Sequence, residues 1–398
     1  MKRSSPAVFY SYAVQQEAED MRCLSKYYWL LIPGLLLCVS AYAQLPQLPT
    51  DAWAGTDKHS LVRTDPAELG IDRQSFEPVI RLAEDNNSDA LLILYNGQVV
   101  FEQYWNGKGL DDVQQMYSAT KSPFSFLVGR AIQKGYIQSL DQKIVDLVPE
   151  VAGSGRESLS FRNIMAMESG LEQSRAMDQA DIQAQRTQLE SVLNRSVTAS
   201  EFSWYHYNNA AYRLLFTALE RASEKSIPQL SKEELFEPLG MVGAYWMEFR
   251  REGEPAGYQS IRMRPQDMAK VGQVILNGGV WGGEQYLPKS FIEQLLIAPA
   301  PEANPSYGLF WHLNGGDFYR SYVESDKTQG ELIPTAPDDA IANYGSGGQV
   351  IVVVPSLELV WVRTGGRSSS TIPQPDSLAS RMSRLMSQMS RMIVTAVK

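Results

Sequence analysis

Ala90-Leu91-Leu92-Ile93-Leu94-Tyr95-Asn96-Gly97-Gln98-Val99-Val100-Phe101-Glu102-Gln103-Tyr104 is the stretch from which the architecture is read. Two β-rich runs flank an Asn-Gly pair, the strongest short-range hairpin signal a sequence offers. The strands that complete this sheet lie far along the chain. They are Gln349-Val-Ile-Val-Val-Val354 and Leu357-Glu-Leu-Val-Trp-Val362, on either side of Pro355-Ser356. Terminal strands around a mostly helical middle give an α+β fold, with an antiparallel sheet built from both chain ends, flanked by helices, plus a helical lobe.

Working outward, the spacing predicts a helix over 72–86, with Phe76, Val79, Ile80 and Leu82 on one side. A second, from Asp376 to Lys398, carries Leu378, Met382, Leu385, Met389 and Ile393 as a stripe that packs on the sheet. In the middle, Ser139-Leu140-Asp141 opens a segment running to Val151, and a short helix over 160–171 is expected to stop at Gly170 as its C-terminal cap. Residues 172–200 are rich in Gln, Ser and Arg and read as a solvated helical face or loop. Buried helices are expected from Asn209 and from Arg264-Pro265, the latter ending at Asn277-Gly278-Gly279.

At 398 residues and 44% hydrophobic content the chain can bury a sizeable core. A net charge of −9 offers no basic field for phosphate, which argues against a nucleic-acid binder. The three histidines, His59, His206 and His312, show no metal-ligand spacing. No Gly-x-Ser-x-Gly elbow supports a Ser-His-Asp triad.

Both cysteines, Cys23 and Cys38, fall early. Arg22 and Lys26 precede the apolar run Tyr27–Val39, which ends in Ala41-Tyr42-Ala43. This is the pattern of a secretory signal, starting at Met21 and cleaved after Ala43, and the run is too short to span a membrane comfortably. Residues 1–43 are therefore read as a leader and the protein as periplasmic or secreted, touching a membrane only through that leader. The mature chain then has no cysteine and no thiol chemistry. Residues 44–69, rich in Pro, Thr and Asp, read as a linker or an irregular wrap, and 70–398 as one domain. Its sheet lobe takes 70–117 and 335–398, and its helical lobe 118–334.

Three further pieces carry chemistry. Tyr117-Ser118-Ala119-Thr120-Lys121-Ser122-Pro123 contains Ser-x-x-Lys, with an apolar run behind it. Residues three apart share a helix face, so hydroxyl and amine lie side by side. A serine needs a neighbour to take its proton, and a lysine can do so once burial or a nearby cation lowers its pKa. Tyr205-His206-Tyr207-Asn208-Asn209 supplies a phenol at Tyr207 and an amide at Asn209. Asn343-Tyr344-Gly345-Ser346-Gly347-Gly348-Gln349 leads into a strand, and its glycines let a substrate lie close to backbone N–H groups. Each piece alone is weak, since such patterns arise by chance.

Together and in this order they resemble the serine β-lactamase and penicillin-binding-protein superfamily, in its class C-like branch of 6-aminohexanoate-dimer hydrolases and esterases. Ser139-Leu-Asp141, Met167-Glu-Ser-Gly-Leu171, Pro238-Leu-Gly-Met241, Asp267-Met-Ala269 and Tyr307-Gly-Leu309 extend the resemblance over about residues 70–395. It implies a β-lactamase/transpeptidase-like fold with the site between the lobes, and an exported serine hydrolase cleaving an amide or ester through an acyl-enzyme. Carried across, Ser118 is the nucleophile, Lys121 the proton acceptor and Tyr207 its partner in proton sharing and deacylation. Asn209, Asn343 and Gly345 orient substrate, and the backbone N–H groups of Ser118 and Ser346 form the oxyanion hole. No metal or organic cofactor is implied, and the expected partner is a small-molecule amide or ester.

Two departures bear on substrate. Asn343-Tyr344-Gly345 stands where the superfamily carries Lys-Thr-Gly, removing a fixed cation for a substrate carboxylate. A Pro-Gly turn before Tyr-x-Asn is replaced by Ala199-Ser-Glu-Phe202. A β-lactamase or D,D-carboxypeptidase is the chemical alternative, with Arg363 or Arg367 in place of the missing cation. A ligand-binding or sensor protein without turnover is the alternative of another class.

Overall fold

A computed structural model describes residues 52–184, 186–201, 203–251, 254–320, 327–365 and 378–398. The leader with Cys23 and Cys38, Arg367 and Asp376 lie outside them. From Ala52 onward the stretch read as a linker lies against the domain. Trp53 exchanges backbone hydrogen bonds with Gly243 and Ala244, and Asp57 meets the fully buried Lys270 at 2.6 Å.

Asn96 (φ 49°) and Gly97 (φ 74°) both take positive φ, and so turn β1 (Ser88–Tyr95) back onto β2 (Gln98–Tyr104). The other strands of this sheet are β3 (His312–Leu313), β4 (Ile341–Gly345), β5 (Gln349–Val354) and β6 (Leu359–Gly365). They form one antiparallel sheet in the order β2-β1-β6-β5-β4-β3. The first hairpin thus pairs with the last strand, which closes the sheet with both ends of the domain.

Every residue of β5 and β6 is buried, as expected of strands covered on both faces. The pleat sorts their side chains. Leu92, Leu94, Ile351, Val353, Val360 and Val362 join the core shared with the helical lobe. On the outer face, Leu91, Ile93, Val350, Val352, Leu359 and Trp361 pack under α1 (Glu77–Asp85) and the C-terminal helix.

Behind the inner face stand α2 (Lys121–Gln133), α3 (Arg175–Gln183), α4 (Gln188–Leu193), α5 (Asn209–Ser223) and α6 (Pro265–Leu276). Helix α6 approaches closely at Gly272, where a β-carbon would lie 2.6 Å from Val360 Cγ1. Helix α2 runs through the centre, with Phe124 meeting the rings of Tyr212 and Phe216 edge-on at 5.2 and 4.8 Å. The last helix, α7 (Leu378–Val397), buries Met382, Leu385, Met386, Met389 and Ile393 against the outer face.

Two local expectations are corrected. The helix expected to reach Gly170 spans only Phe161–Met165, and Met167 already takes φ 61°. Gly170 is required for another reason: a β-carbon there would sit 2.1 Å from the Ala199 carbonyl oxygen. The segment 172–200 is not simply solvated. It forms α3 and α4 and buries Asp178, Asp181 and Arg195, whose charges pair with one another.

Candidate active site

Ser118 lies in a 3-10 turn, Tyr117–Thr120, that runs directly into α2. Tyr117 takes φ 49°, a left-handed conformation that costs a residue with a side chain of this size. Surrounding contacts hold it there. Ile261 accepts the Met116 N–H at 3.0 Å, and its own N–H donates to Thr120 Oγ1 at 3.0 Å. The Lys121 N–H donates to the Ser118 carbonyl. In a 3-10 turn positions i and i+3 eclipse, so the serine and lysine side chains leave the turn on one side.

Lys121 is 4% exposed. Its Nζ donates to Asn209 Oδ1 at 3.0 Å and lies 4.7 Å from the centre of the Tyr207 ring and 4.4 Å from that of Tyr212. The ring faces favour the charged amine, but burial disfavours it more and pushes the pKa down to about 7, with Asp178 opposing and Arg213 assisting. Lysine is thereby poised to exchange a proton near neutrality.

Tyr207 and Asn209 reach this point because Asn208 anchors the segment between them. Its side chain caps α5 by accepting from the Ala211 N–H at 2.8 Å, and its amide donates to the Leu171 carbonyl at 3.0 Å. His206 N–H donates to the Met167 carbonyl at 2.8 Å. A row of aromatic contacts, Tyr205 to Tyr307 to His312 to Tyr344, then ties this segment to β4. Burial holds His312 at about 3, so it is neutral and takes no part in proton transfer near pH 7.

Gly345 closes the site. A β-carbon on it would meet Met116 O at 2.2 Å, Ala119 N at 2.9 Å and Ser118 N at 3.1 Å. The β4 backbone therefore lies directly against the turn that carries Ser118, and Ser346 follows at the strand end. An arrangement of an alcohol, a near-neutral amine, a phenol and two adjacent backbone segments can support acyl transfer. Among the described residues no group of three or more His, Cys, Asp or Glu side chains is placed to hold a metal ion.

Two residues stand otherwise than the sequence suggests. Asn343 is 3% exposed, and its amide donates to Ser122 Oγ and lies 3.4 Å from Ala119 O, so it fastens β4 to α2 instead of facing substrate. Arg363 cannot replace the missing cation, because its guanidinium is already engaged. It donates to the carbonyls of Gly347 and Gly348 at 3.0 and 2.7 Å, to Asn86 O at 2.6 Å and to Ser88 Oγ at 2.9 Å.

Sequence reasoning missed Asp178, which accepts from Asn209 Nδ2 at 2.9 Å. Its only signal was a spacing: Asp178 and Asp181 share a face of a helix whose start is capped by Ser174. It also missed Glu168, which is 1% exposed with neither carboxyl oxygen hydrogen-bonded among the described residues, and whose pKa burial raises to about 8.

Comparison with known proteins agrees with this fold. The Beta-lactamase family model matches residues 79–365. The 6-aminohexanoate-dimer hydrolase of Paenarthrobacter ureafaciens is 22% identical over 362 residues, covering 83% of this chain and 88% of that protein. The structure of a candidate 6-aminohexanoate-dimer hydrolase from Bacillus anthracis superposes with a TM-score of 0.64 at 20% identity, over 87% of this chain and 90% of that one. A class C beta-lactamase from Rhodobacter sphaeroides gives 0.57 at 14% identity, over 82% and 100%. With a matching model across most of its length and the expected fold, the chain belongs to the beta-lactamase family of serine hydrolases.

Proposed function

We propose that this chain is an exported serine hydrolase that cleaves a small amide or ester through an acyl-enzyme on Ser118, in the manner of 6-aminohexanoate-dimer hydrolases and esterases. The observation that carries the reading is the buried Lys121 amine, held near neutrality one 3-10 turn from Ser118 and beside Tyr207. Neutral Lys121 takes the Ser118 proton as Oγ bonds to the carbonyl carbon. The N–H groups of Ser118 and Ser346 receive the developing oxyanion. As the intermediate collapses, the leaving amine or alcohol departs with a proton from the Lys121–Tyr207 pair. Water, activated by the same pair, then releases the acid and frees Ser118. Asn209 keeps the lysine in place, and Gly345 lets the acyl group lie against β4.

Two of the three positions where a fixed cation is sought, 343 and 363, support a neutral acyl group: one holds an amide bound to Ser122, the other an arginine spent on carbonyls and a hydroxyl. Export is proposed from the apolar run before Ala43. Intact-protein mass spectrometry after a fluorophosphonate soak, repeated with short p-nitrophenyl esters and with penicillin, tests the reading. A single adduct lost in Ser118→Ala, with ester turnover, is expected. Turnover of a cephalosporin above that of esters would favour a β-lactamase, and one equivalent released without turnover would favour a sensor.

A further inference from the structure

The Asn209 side chain has two ends of opposite character, and half a turn about its last bond exchanges them. One end accepts from Lys121 Nζ at 3.0 Å, while the other donates to Asp178 Oδ2 at 2.9 Å. An ionised carboxylate only accepts. While Asp178 is charged, the NH₂ of Asn209 must face it, and the oxygen is left for the lysine. Turned round, the amide would oppose its oxygen to a carboxylate and its NH₂ to an amine. A neutral amine that donates to a fixed oxygen also has its lone pair aimed, and an aimed lone pair is what proton removal from Ser118 needs.

Cationic side chains face Asp178. It is 7% exposed, and Arg195 Nη2 lies 3.9 Å from its Oδ1. Arg195 also meets Asp181 at 2.5 Å, and Asp181 holds Arg186 at 2.9 Å. Alternating charges thus run from behind the lysine to the surface, all but one of them carried by α3, α4 and their flanks. Arg213, from α5, interacts with both aspartates.

We propose that Asp178 is a positioning residue: it locks the Asn209 amide so that Oδ1 orients Lys121 toward Ser118, with the α3–α4 hairpin as its buttress. The inference rests on the hydrolase reading for its catalytic consequence, but the lock itself is a property of the lysine's surroundings. Those surroundings are Tyr207, Tyr212 and Arg213 from α5 and its start, Asn209 at its first turn, Asp178 from α3 and Ser118 from the nucleophile turn. Among them Asp178 supplies the negative charge that favours protonated Lys121. Neutralising it must therefore do two things at once. Proton abstraction loses its orientation, and the lysine titrates at lower pH.

The test compares the full chain with Asp178→Asn, and with Asp178→Asn combined with Arg195→Gln in case an unmatched Arg195 unfolds the first variant. Two readouts are followed against pH: the rate of Ser118 labelling by a fluorophosphonate, and the ¹⁵N shift of the Lys121 amine, assigned by its loss in Lys121→Arg. Expected is a plateau rate lower by about tenfold or more, with the acid limb and the amine titration both displaced to lower pH. Unchanged rate and titration would overturn the proposal. A lower rate with an unmoved Lys121 titration would overturn it equally, leaving Asp178 a packing role. If wild-type Ser118 is never labelled, the hydrolase reading fails, and the amine titration still decides whether Asp178 governs the lysine.

Discussion

Gly345 passes so near Ser118 that a β-carbon on it would lie 3.1 Å from the serine amide nitrogen. Backbone atoms on both sides of that contact cannot yield as a flexible side chain would. Gly345→Ala is expected to spread β4 from the nucleophile turn and misplace the Ser346 N–H. Ester turnover should fall by about 100-fold or more, while circular dichroism keeps the native spectrum. Turnover within a few-fold of wild type would show that β4 does not form the oxyanion site.

Lys121 sets a pH dependence of known sign. With its folded pKa near 7, the neutral amine grows as pH rises through 7, so acylation should climb along an acid limb centred there. Stability follows the same group. The unfolded lysine titrates near 10.5, so between about 7 and 10.5 the unfolded chain binds the extra proton and stability rises with pH. The penalty is fully present below 7. Lys121→Met should therefore abolish acylation yet raise stability by about 1–3 kcal/mol at pH 7, with a smaller gain at pH 10. Denaturant melts at the two pH values check it.

Glu168 gives the opposite slope. Its folded pKa is raised to about 8 against an ordinary 4.5, so the folded protein keeps a proton that the unfolded chain has released. Stability should fall as pH rises from 4.5 to 8 and remain low above. Glu168→Gln, neutral at every pH, should remove that slope and stabilise by about 1–3 kcal/mol at pH 8, with little change near pH 4.5. A variant that loses stability at pH 8 would mean that the carboxylate has a partner in solution.

Arg363 offers a discriminating substitution. A lysine there has three donors on a point charge and cannot span carbonyls and a hydroxyl in four places. Arg363→Lys should lower stability by about 3 kcal/mol and slow neutral and anionic substrates alike. A KM rise confined to carboxylate-bearing substrates would instead restore the arginine as a substrate cation.

Much of this site was legible in the sequence because it is local. The Asn96-Gly97 turn, the Ser118–Lys121 spacing and the Tyr207–Asn209 pair each act within a few residues. What stayed hidden depends on partners far apart in the chain. Asp178 reads as one more surface acid until Arg195 and Asn209 come beside it. Gly170 resembles a helix stop because a glycine demanded by close approach to Ala199 looks the same on paper. Arg363 did carry a signal: a cation inside an apolar, doubly covered strand must be compensated, although the sequence does not say by what. Asn343 misled because the motif marks its place in the strand and not the direction of its amide.

The pairing of the first hairpin with the final strand has a bearing on how the enzyme comes into being. Ser118 emerges early in synthesis, but the strand that completes its surroundings arrives more than two hundred residues later, and Gly365 must follow before the sheet can close. Such long-range pairing slows folding and delays competence until the chain is almost whole. On the proposed mechanism, a ribosome-bound fragment holds Ser118 without the strand backbone that would receive an oxyanion, and activity is expected only once the last strand is in place.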